Sequence, residues 1–173
     1  NDTENVAMIE LKKHGVNAVW VGHPLLDIIN VQKDKETLMQ EMNIDKSKKI
    51  ISLFPGSRQK EIKRIFPIML ESSKILNAKN KNFQFIIACA PDIKQSKLES
   101  MAKKINLECV VFKNKNYEIM SVSDLIIVAS GTATLEAAII EVPMVVLYKV
   151  AALTWFLFYP LVKIKNFSLV NIV

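Results

Sequence analysis

The stretch IIVASGTATLEAAIIEVPMVVLYK, residues 126 to 149, decides the fold class of this chain. It opens on a continuous apolar run, turns at Ser130-Gly131-Thr132, continues as a helical pattern and ends in a second apolar run. Continuous Ile, Val and Leu without period-2 alternation is typical of strands that are covered on both faces. The stretch therefore predicts a strand–helix–strand unit whose helix carries one carboxylate, Glu136.

The same alternation of apolar runs with helical patterns extends over most of the chain. Such a pattern implies a parallel sheet with helices on both faces, which is a doubly wound, Rossmann-like α/β fold. The predicted strands are Ala18–Gly22, Ile50–Phe54, Phe83–Ala88, Glu108–Phe112, Leu125–Ala129 and Met144–Tyr148. The predicted helices are Lys33–Met42, Gln59–Leu76, Ile93–Ile105, Tyr117–Ser121 and Thr132–Ile140.

Length and composition favour one globular domain. The chain has 173 residues, of which 50% are apolar and 23% charged, and this is enough to bury a core. We expect residues 1–150 to form the Rossmann-like domain. Residues 151–173 are an apolar C-terminal segment that we expect to pack on another domain, a partner subunit or a membrane surface. The apolar run Val150–Val162 is shorter than the roughly 20 residues that a spanning helix needs.

The formal net charge of +6 favours anionic partners but does not indicate which kind of anionic partner binds. The lysines are scattered rather than arranged in a stripe with exposed aromatic residues, so nucleic acid is not an expected partner.

Cys89 and Cys109 lie in apolar strand-like runs, which favours buried thiols over a disulfide. No spacing of metal ligands, Walker A sequence or G-x-G-x-x-G occurs, so we expect neither a metal nor a cofactor. With no secretory signal at its start, the chain is expected to be cytoplasmic.

Two loops are candidates for a ligand site, because ligands of open parallel sheets bind at the carboxyl ends of the strands. In the first loop, Pro55-Gly56 turns the chain and Ser57-Arg58 opens the next helix. A glycine permits close approach of a ligand to the backbone, and a helix N-terminus with an arginine favours phosphate. A plain turn with Ser57 as the N-cap and Arg58 in solvent is the alternative. Glu61 is most simply a first-turn carboxylate that complements the helix dipole.

In the second loop, Ser130-Gly131-Thr132 again joins a strand end to a helix start, a second position suited to a phosphate. Glu136 follows Thr132 by one helical turn, near where the ribose of a bound nucleotide would lie. A charge at the helix edge that reaches solvent is the alternative reading. The two histidines, His14 and His23, have no nucleophile partner at a readable spacing, so His23 is most simply a hydrogen-bonding loop residue.

Five motifs occur in an order and spacing that resemble bacterial lipid-A-disaccharide synthases. They are VGHPLLD (21–27), LFPGSRQKEI (53–62), ASGTATLEA (129–137), PMVVLYK (143–149) and SLVN (168–171). The resemblance extends from about Gly15 to Val173 but covers only the C-terminal part of such an enzyme. It implies the C-terminal, UDP-donor-binding domain of a glycosyltransferase-B fold, in which two Rossmann-like domains face each other across a cleft.

The resemblance also implies a reaction and the residues that serve it. The family transfers a diacylglucosamine unit from UDP to a lipid monosaccharide phosphate, at the cytoplasmic face of the inner membrane of a Gram-negative bacterium. By this likeness Arg58 and Ser130-Gly131-Thr132 bind the donor diphosphate, Glu136 binds the ribose, and Asn171 lies near the nucleotide or sugar. Gly56 and Ser57 are expected to belong to the same UDP-donor site. The implied partners are the UDP-linked acylated glucosamine, the N-terminal domain, the membrane surface peripherally and a second copy of the chain.

Two departures from the family pattern matter. The family usually has S-L-P-N where this chain has Ser168-Leu169-Val170-Asn171, and the lost proline weakens the placement of Asn171. The N-terminal domain, which holds the family's catalytic base, is absent, so no catalytic residue is assigned in this chain. The alternatives are another UDP-sugar enzyme of the same fold, a 2-epimerase or a peptidoglycan-type transferase, and a non-catalytic nucleotide-sugar-binding module.

Overall fold

A computed structural model of the chain describes residues 2–19, 22–31 and 33–149. Its strands are β1 Lys49–Phe54, β2 Phe83–Cys89, β3 Cys109–Lys113, β4 Leu125–Ala129 and β5 Met144–Leu147. Its helices are α1 Asp2–Lys13, α2 Leu25–Ile28, α3 Lys35–Glu41, α4 Gln59–Lys79, α5 Gln95–Lys104, α6 Asn116–Val122 and α7 Ala133–Ile139. In the described ranges no helix is both long enough and apolar enough to cross a bilayer.

The five strands form one parallel sheet in the order β3-β2-β1-β4-β5. The chain moves outward from β1 to β3, then returns past β1 and continues outward in the other direction through β4 and β5. The predicted doubly wound, Rossmann-like fold is therefore confirmed. Its topological switch point lies between the neighbouring strands β1 and β4, where Phe54 pairs with Val128.

The central strand β1 is buried on both faces, and each face packs against its own layer of helices. Ile51 and Leu53 point to the layer formed by α4 and α5. Ile50 and Phe54 point to the layer formed by α3, α6 and α7. Successive side chains of a strand alternate between faces, so a continuous apolar run supplies both cores at once.

Asp124, which directly precedes β4, joins three elements at the amino end of the sheet. Its carboxylate accepts the backbone N–H of Ile50 at 2.8 Å and the Nζ of Lys35 at 3.2 Å. Its own N–H donates to the carbonyl of Ile50 at 2.9 Å. Burial raises the pKa of this carboxyl, but the hydrogen bonds from Ile50 and Lys35, together with the charges of Lys35 and Lys49, hold the pKa below its ordinary value.

Five of the six predicted strands are confirmed, with ends that move by one residue at most. The strand predicted at Ala18–Gly22 is wrong for its described residues, since Ala18, Val19 and Gly22 lie outside any strand. An apolar run becomes a strand only when a neighbouring strand accepts its backbone hydrogen bonds, and the described sheet contains no strand from this segment. The predictions for residues 151–173 concern residues outside the described part.

All five predicted helices are present, and their bounds shift by three residues at most. The short helices α1 and α2 were not predicted, because neither carries a clear apolar stripe. Cys89 is buried in β2 and Cys109 is half-buried in β3, and both are free thiols, as predicted.

Replacing Asp124 with Ala should reduce the free energy of unfolding by about 1.5–3 kcal/mol at pH 7, because the N–H of Ile50 loses a charged acceptor. A carboxyl whose folded-state pKa is lowered stabilises the fold above its unfolded-state pKa of 3.8. That contribution is lost as the pH falls through the folded-state value, so the two proteins should converge in stability below about pH 4. Urea unfolding at several pH values measures this.

The control is Asp92→Ala, which removes an exposed carboxylate from the loop before α5. It should change stability by less than about 0.5 kcal/mol. Equal losses for the two variants would contradict the role given to Asp124.

Candidate functional site

A cleft of about 380 Å³ lies at the switch point, above the carboxyl ends of β1 and β4. The helices that follow these strands, α4 and α7, leave toward opposite faces of the sheet and so open a space between their first turns. The cleft is lined by residues of both predicted loops and of the strand ends beneath them: Phe54, Pro55, Gly56, Ser57, Arg58, Glu61, Ala88, Ala90, Asn116, Ala129, Ser130, Gly131, Thr132, Ala133 and Glu136.

Gly56 shapes the first wall of the cleft. Its φ of +96° lies in the region that side-chain-bearing residues rarely adopt. A Cβ at this position would lie 2.7 Å from Oε2 of Glu61, which is closer than van der Waals contact allows. Glycine is therefore favoured here by the backbone turn, and a Cβ would in addition displace the Glu61 carboxylate from its present position.

Helix α4 begins at the cleft with Arg58 as its N-cap, and no side chain caps it by a hydrogen bond. Of the alternative reading, the N-cap role of Ser57 is therefore wrong, whereas the placement of Arg58 in solvent agrees with the structure. Without a cap, the first N–H groups of the helix remain available to water or to a ligand. The Arg58 side chain is 82% exposed, and its Nη1 donates to Oε1 of Glu61 at 3.2 Å. The guanidinium keeps further N–H groups for an anion, since it has five in all.

The second wall is the loop between β4 and α7. Ser130 is fixed by its N–H, which donates to the carbonyl of Leu147 in β5 at 2.9 Å. The carbonyl of Gly131 accepts both the N–H and the Oγ of buried Thr134, at 3.1 and 2.8 Å. These bonds hold the loop in a defined shape, and Thr132 starts α7 without a side-chain cap.

Glu136 lies one turn into α7 and is half-buried on the cleft side. Burial raises the pKa of its carboxyl above the ordinary value. Tyr117 of α6 is close enough for the charge of Glu136 to add to the effect of burial in raising the pKa of its phenol. A carboxylate that is poorly hydrated gains most from hydroxyl groups that donate hydrogen bonds to it.

The structure thus brings seven of the eight predicted site residues into one cleft. They are Gly56, Ser57, Arg58, Ser130, Gly131, Thr132 and Glu136, whereas Asn171 lies outside the described residues. Glu136 is half-buried and faces the cleft, and the choice between a ligand contact and a charge at the helix edge that reaches solvent stays open. What these residues bind stays a prediction.

Among the polar residues that line the cleft, the sequence-based prediction of the site missed two, Glu61 and Asn116. Glu61 was given only a helix-dipole role, although it lies beside Gly56 and is paired with Arg58. A carboxylate three residues after an arginine at a helix start was a usable signal for that pair. Asn116 enters the cleft from the start of α6, after the neighbouring β3, and no local pattern indicated this.

The histidines lie outside this cleft. Nδ1 of His23 accepts the backbone N–H of Leu25 at 3.2 Å, which confirms the reading of His23 as a loop hydrogen-bonding residue. His14 lies 3.5 Å from a carboxylate oxygen of Glu10 on the exposed surface of α1. Neither histidine approaches the candidate site in the described part of the chain.

Strand order and the position of the cleft define a Rossmann-like α/β domain with an open cleft at its switch point. The chain belongs to the lipid-A-disaccharide synthetase family, whose model matches residues 10–173. It is 37% identical over 162 residues to a lipid-A-disaccharide synthase of Geobacter metallireducens, covering 94% of this chain and 42% of that protein. It is 39% identical over 158 residues to the lipid-A-disaccharide synthase of Persephonella marina, covering 89% of this chain and 42% of that protein.

The chain therefore spans about 42% of the length of these curated relatives. Among solved structures, it is similar to a crystal structure of WaaG, a glycosyltransferase involved in lipopolysaccharide biosynthesis. That similarity has a TM-score of 0.48 at 22% identity, and covers 68% of this chain and 33% of WaaG.

Replacing Gly56 with Ala should destabilise the fold by about 1–3 kcal/mol, because the residue needs a positive φ and the new Cβ meets Glu61. The matched variant is Gly131→Ala in the opposite wall. A Cβ at Gly131 has no neighbour within 4 Å, so we expect a change below about 0.5 kcal/mol. Denaturant unfolding compares the two, and equal effects would show that Gly56 is not under the constraint described.

Proposed function

We propose that this chain binds the UDP-linked acylated glucosamine donor of a lipid-A-disaccharide synthase. The observation that carries the proposal is the convergence of the two strand-to-helix loops in a single cleft at the switch point. Family membership supports a glycosyl-transfer reaction in lipid A synthesis. The cleft supports the nucleotide sugar as the ligand, because it contains groups suited to bind a phosphate and groups suited to bind a ribose.

The diphosphate is proposed to lie between the two loops. Gly56 lets the backbone of the first loop approach the ligand closely, and the uncapped start of α4 offers N–H groups to phosphate oxygens. Arg58 contributes a charged, planar donor at the mouth of the cleft. Ser130, Gly131 and Thr132 form the facing wall. Hydrogen bonds that strengthen as the leaving diphosphate gains charge would lower the barrier to glycosyl transfer.

The ribose is proposed to lie against Glu136. Because this carboxylate is half-buried one turn into α7, a nucleoside whose phosphate lies at the loop can reach it with its two hydroxyls. Hydrogen bonds from hydroxyl groups favour the ionised carboxylate, which burial alone disfavours. Asn171 is proposed to act near the nucleotide or the sugar.

The remaining steps of the reaction are proposed to be carried out by residues outside this chain's cleft. Glycosyl transfer also needs an acceptor site and a base for the acceptor hydroxyl. Since the chain spans about 42% of its relatives, a partner domain corresponding to their remaining length would supply both. The proposed setting is the cytoplasmic side of a bacterial inner membrane, with peripheral attachment and self-association as further proposals.

A nucleotide-sugar-binding module without catalysis of its own is the second candidate. Mixing the chain with a separately expressed partner domain and assaying disaccharide formation separates the two. Activity that appears only in the mixture supports the donor-binding half of an enzyme. If the mixture forms no disaccharide although the chain binds UDP normally, the result supports the binding module.

Replacing Arg58 with Ala should weaken UDP binding by about 1.5–3 kcal/mol, the usual cost of a hydrogen bond to a charged group. Isothermal titration calorimetry of UDP against the 173-residue chain measures this. Arg64→Ala is the control, because Arg64 is an exposed arginine of the same helix that does not line the cleft. If UDP binds both variants as tightly as it binds the original chain, the diphosphate site is misplaced.

Replacing Glu136 with Gln should weaken the binding of UDP by about tenfold. The affinity for 2′,3′-dideoxy-UDP should change by less than about twofold, because this nucleotide has no ribose hydroxyls to donate hydrogen bonds to Glu136. Glu141→Gln changes an exposed carboxylate just after α7 and serves as the control. A Glu136 variant that loses the same affinity for both nucleotides would argue against the ribose contact.

A further inference from the structure

The cleft proposed to bind a diphosphate carries more negative than positive side-chain charge. Of its lining residues, Arg58 is the cation, and Glu61 and Glu136 are the carboxylates. The proposed ribose contact accounts for Glu136. Glu61 remains unexplained, because a second carboxylate opposes the binding of an anionic ligand.

Glu61 is not a freely exposed surface residue. Its side chain is only 35% exposed, and its Oε2 lies 2.7 Å from the position that a Cβ on Gly56 would take, so the carboxylate is next to the first loop. Its other oxygen accepts Nη1 of Arg58 at 3.2 Å. The carboxylate therefore lies between the loop backbone and the guanidinium, the two groups that are proposed to hold the diphosphate.

We propose that Glu61 is a specificity-determining residue that favours a diphosphate esterified to a sugar over a free nucleoside diphosphate. This inference rests on the proposed function. The terminal phosphate of UDP carries one more ionisable oxygen than the same phosphate in a UDP-sugar, so a neighbouring carboxylate repels UDP more strongly. A sugar instead brings hydroxyl groups that donate hydrogen bonds to Glu61.

The consequence for a transferase is easier release of the product. Once the sugar has moved to the acceptor, the phosphate next to Glu61 gains negative charge and loses its hydroxyl groups. Glu61, which accepts hydrogen bonds from the sugar of the bound UDP-sugar, then weakens the binding of the nucleoside diphosphate that remains. Binding energy that distinguishes the two ligands promotes turnover, whereas uniform binding does not.

A purely structural role for Glu61 leads to the opposite expectation. If the ion pair only held Arg58 in position, removing the carboxylate would loosen the guanidinium and weaken UDP and UDP-sugar together. The proposed role instead predicts that the two ligands respond differently. Their affinity ratio is therefore the quantity to measure.

The test uses calorimetric titration of the 173-residue chain with UDP and with UDP-N-acetylglucosamine. Glu61→Gln should bind UDP about three- to tenfold more tightly while binding UDP-N-acetylglucosamine equally or more weakly. Glu71→Gln removes an exposed carboxylate of the same helix and should leave the ratio unchanged. The gain for UDP should shrink at 0.5 M salt, because it is electrostatic.

Glu61→Asp, which withdraws the carboxylate by one methylene group, should give an intermediate ratio and covers the case in which the Gln variant does not fold. Parallel changes for the two ligands, or an unchanged ratio, would overturn this inference and leave the proposed function standing. If the original chain binds neither ligand, the proposed function fails and this inference fails with it.

Discussion

The pairing of β1 with both β2 and β4 is the constraint on which the rest of the structure depends. Because β1 lies at the centre of the sheet, its side chains must fill a core on each face, and its run of apolar residues does so. The same pairing places the end of β1 next to the end of β4, with Phe54 beside Val128. Helices α4 and α7 then leave in opposite directions, and the cleft lies between them.

Electrostatics inside the cleft distinguish it from a simple phosphate pocket. Arg58 attracts anions, yet it is paired with Glu61, and Glu136 adds a second carboxylate whose pKa burial raises. Under the proposed function, a ligand that combines phosphate groups with hydroxyl groups would satisfy all three side chains.

Much of the fold and of the site could be predicted from local patterns. Continuous apolar runs located five strands, and the Gly-Ser-Arg and Ser-Gly-Thr turns located both loops, because strand ends and helix starts have local chemical signatures. The strand predicted at Ala18–Gly22 failed for its described residues, because strand formation depends on a neighbour that the local pattern does not contain. Asn116 was missed for a related reason, since it reaches the cleft only through the packing of α6.

The sequence by itself determined the α/β class, the residues of both loops and the family, since these depend on short-range patterns and on motif order. Only the tertiary structure decided that the two loops form one cleft, because their separation in the chain is bridged by the pairing of β1 with β4. It also decided the position of Glu61. The positive φ of Gly56 and the missing Cβ leave room for that carboxylate beside Arg58, a contact that depends on three-dimensional packing rather than on residue type.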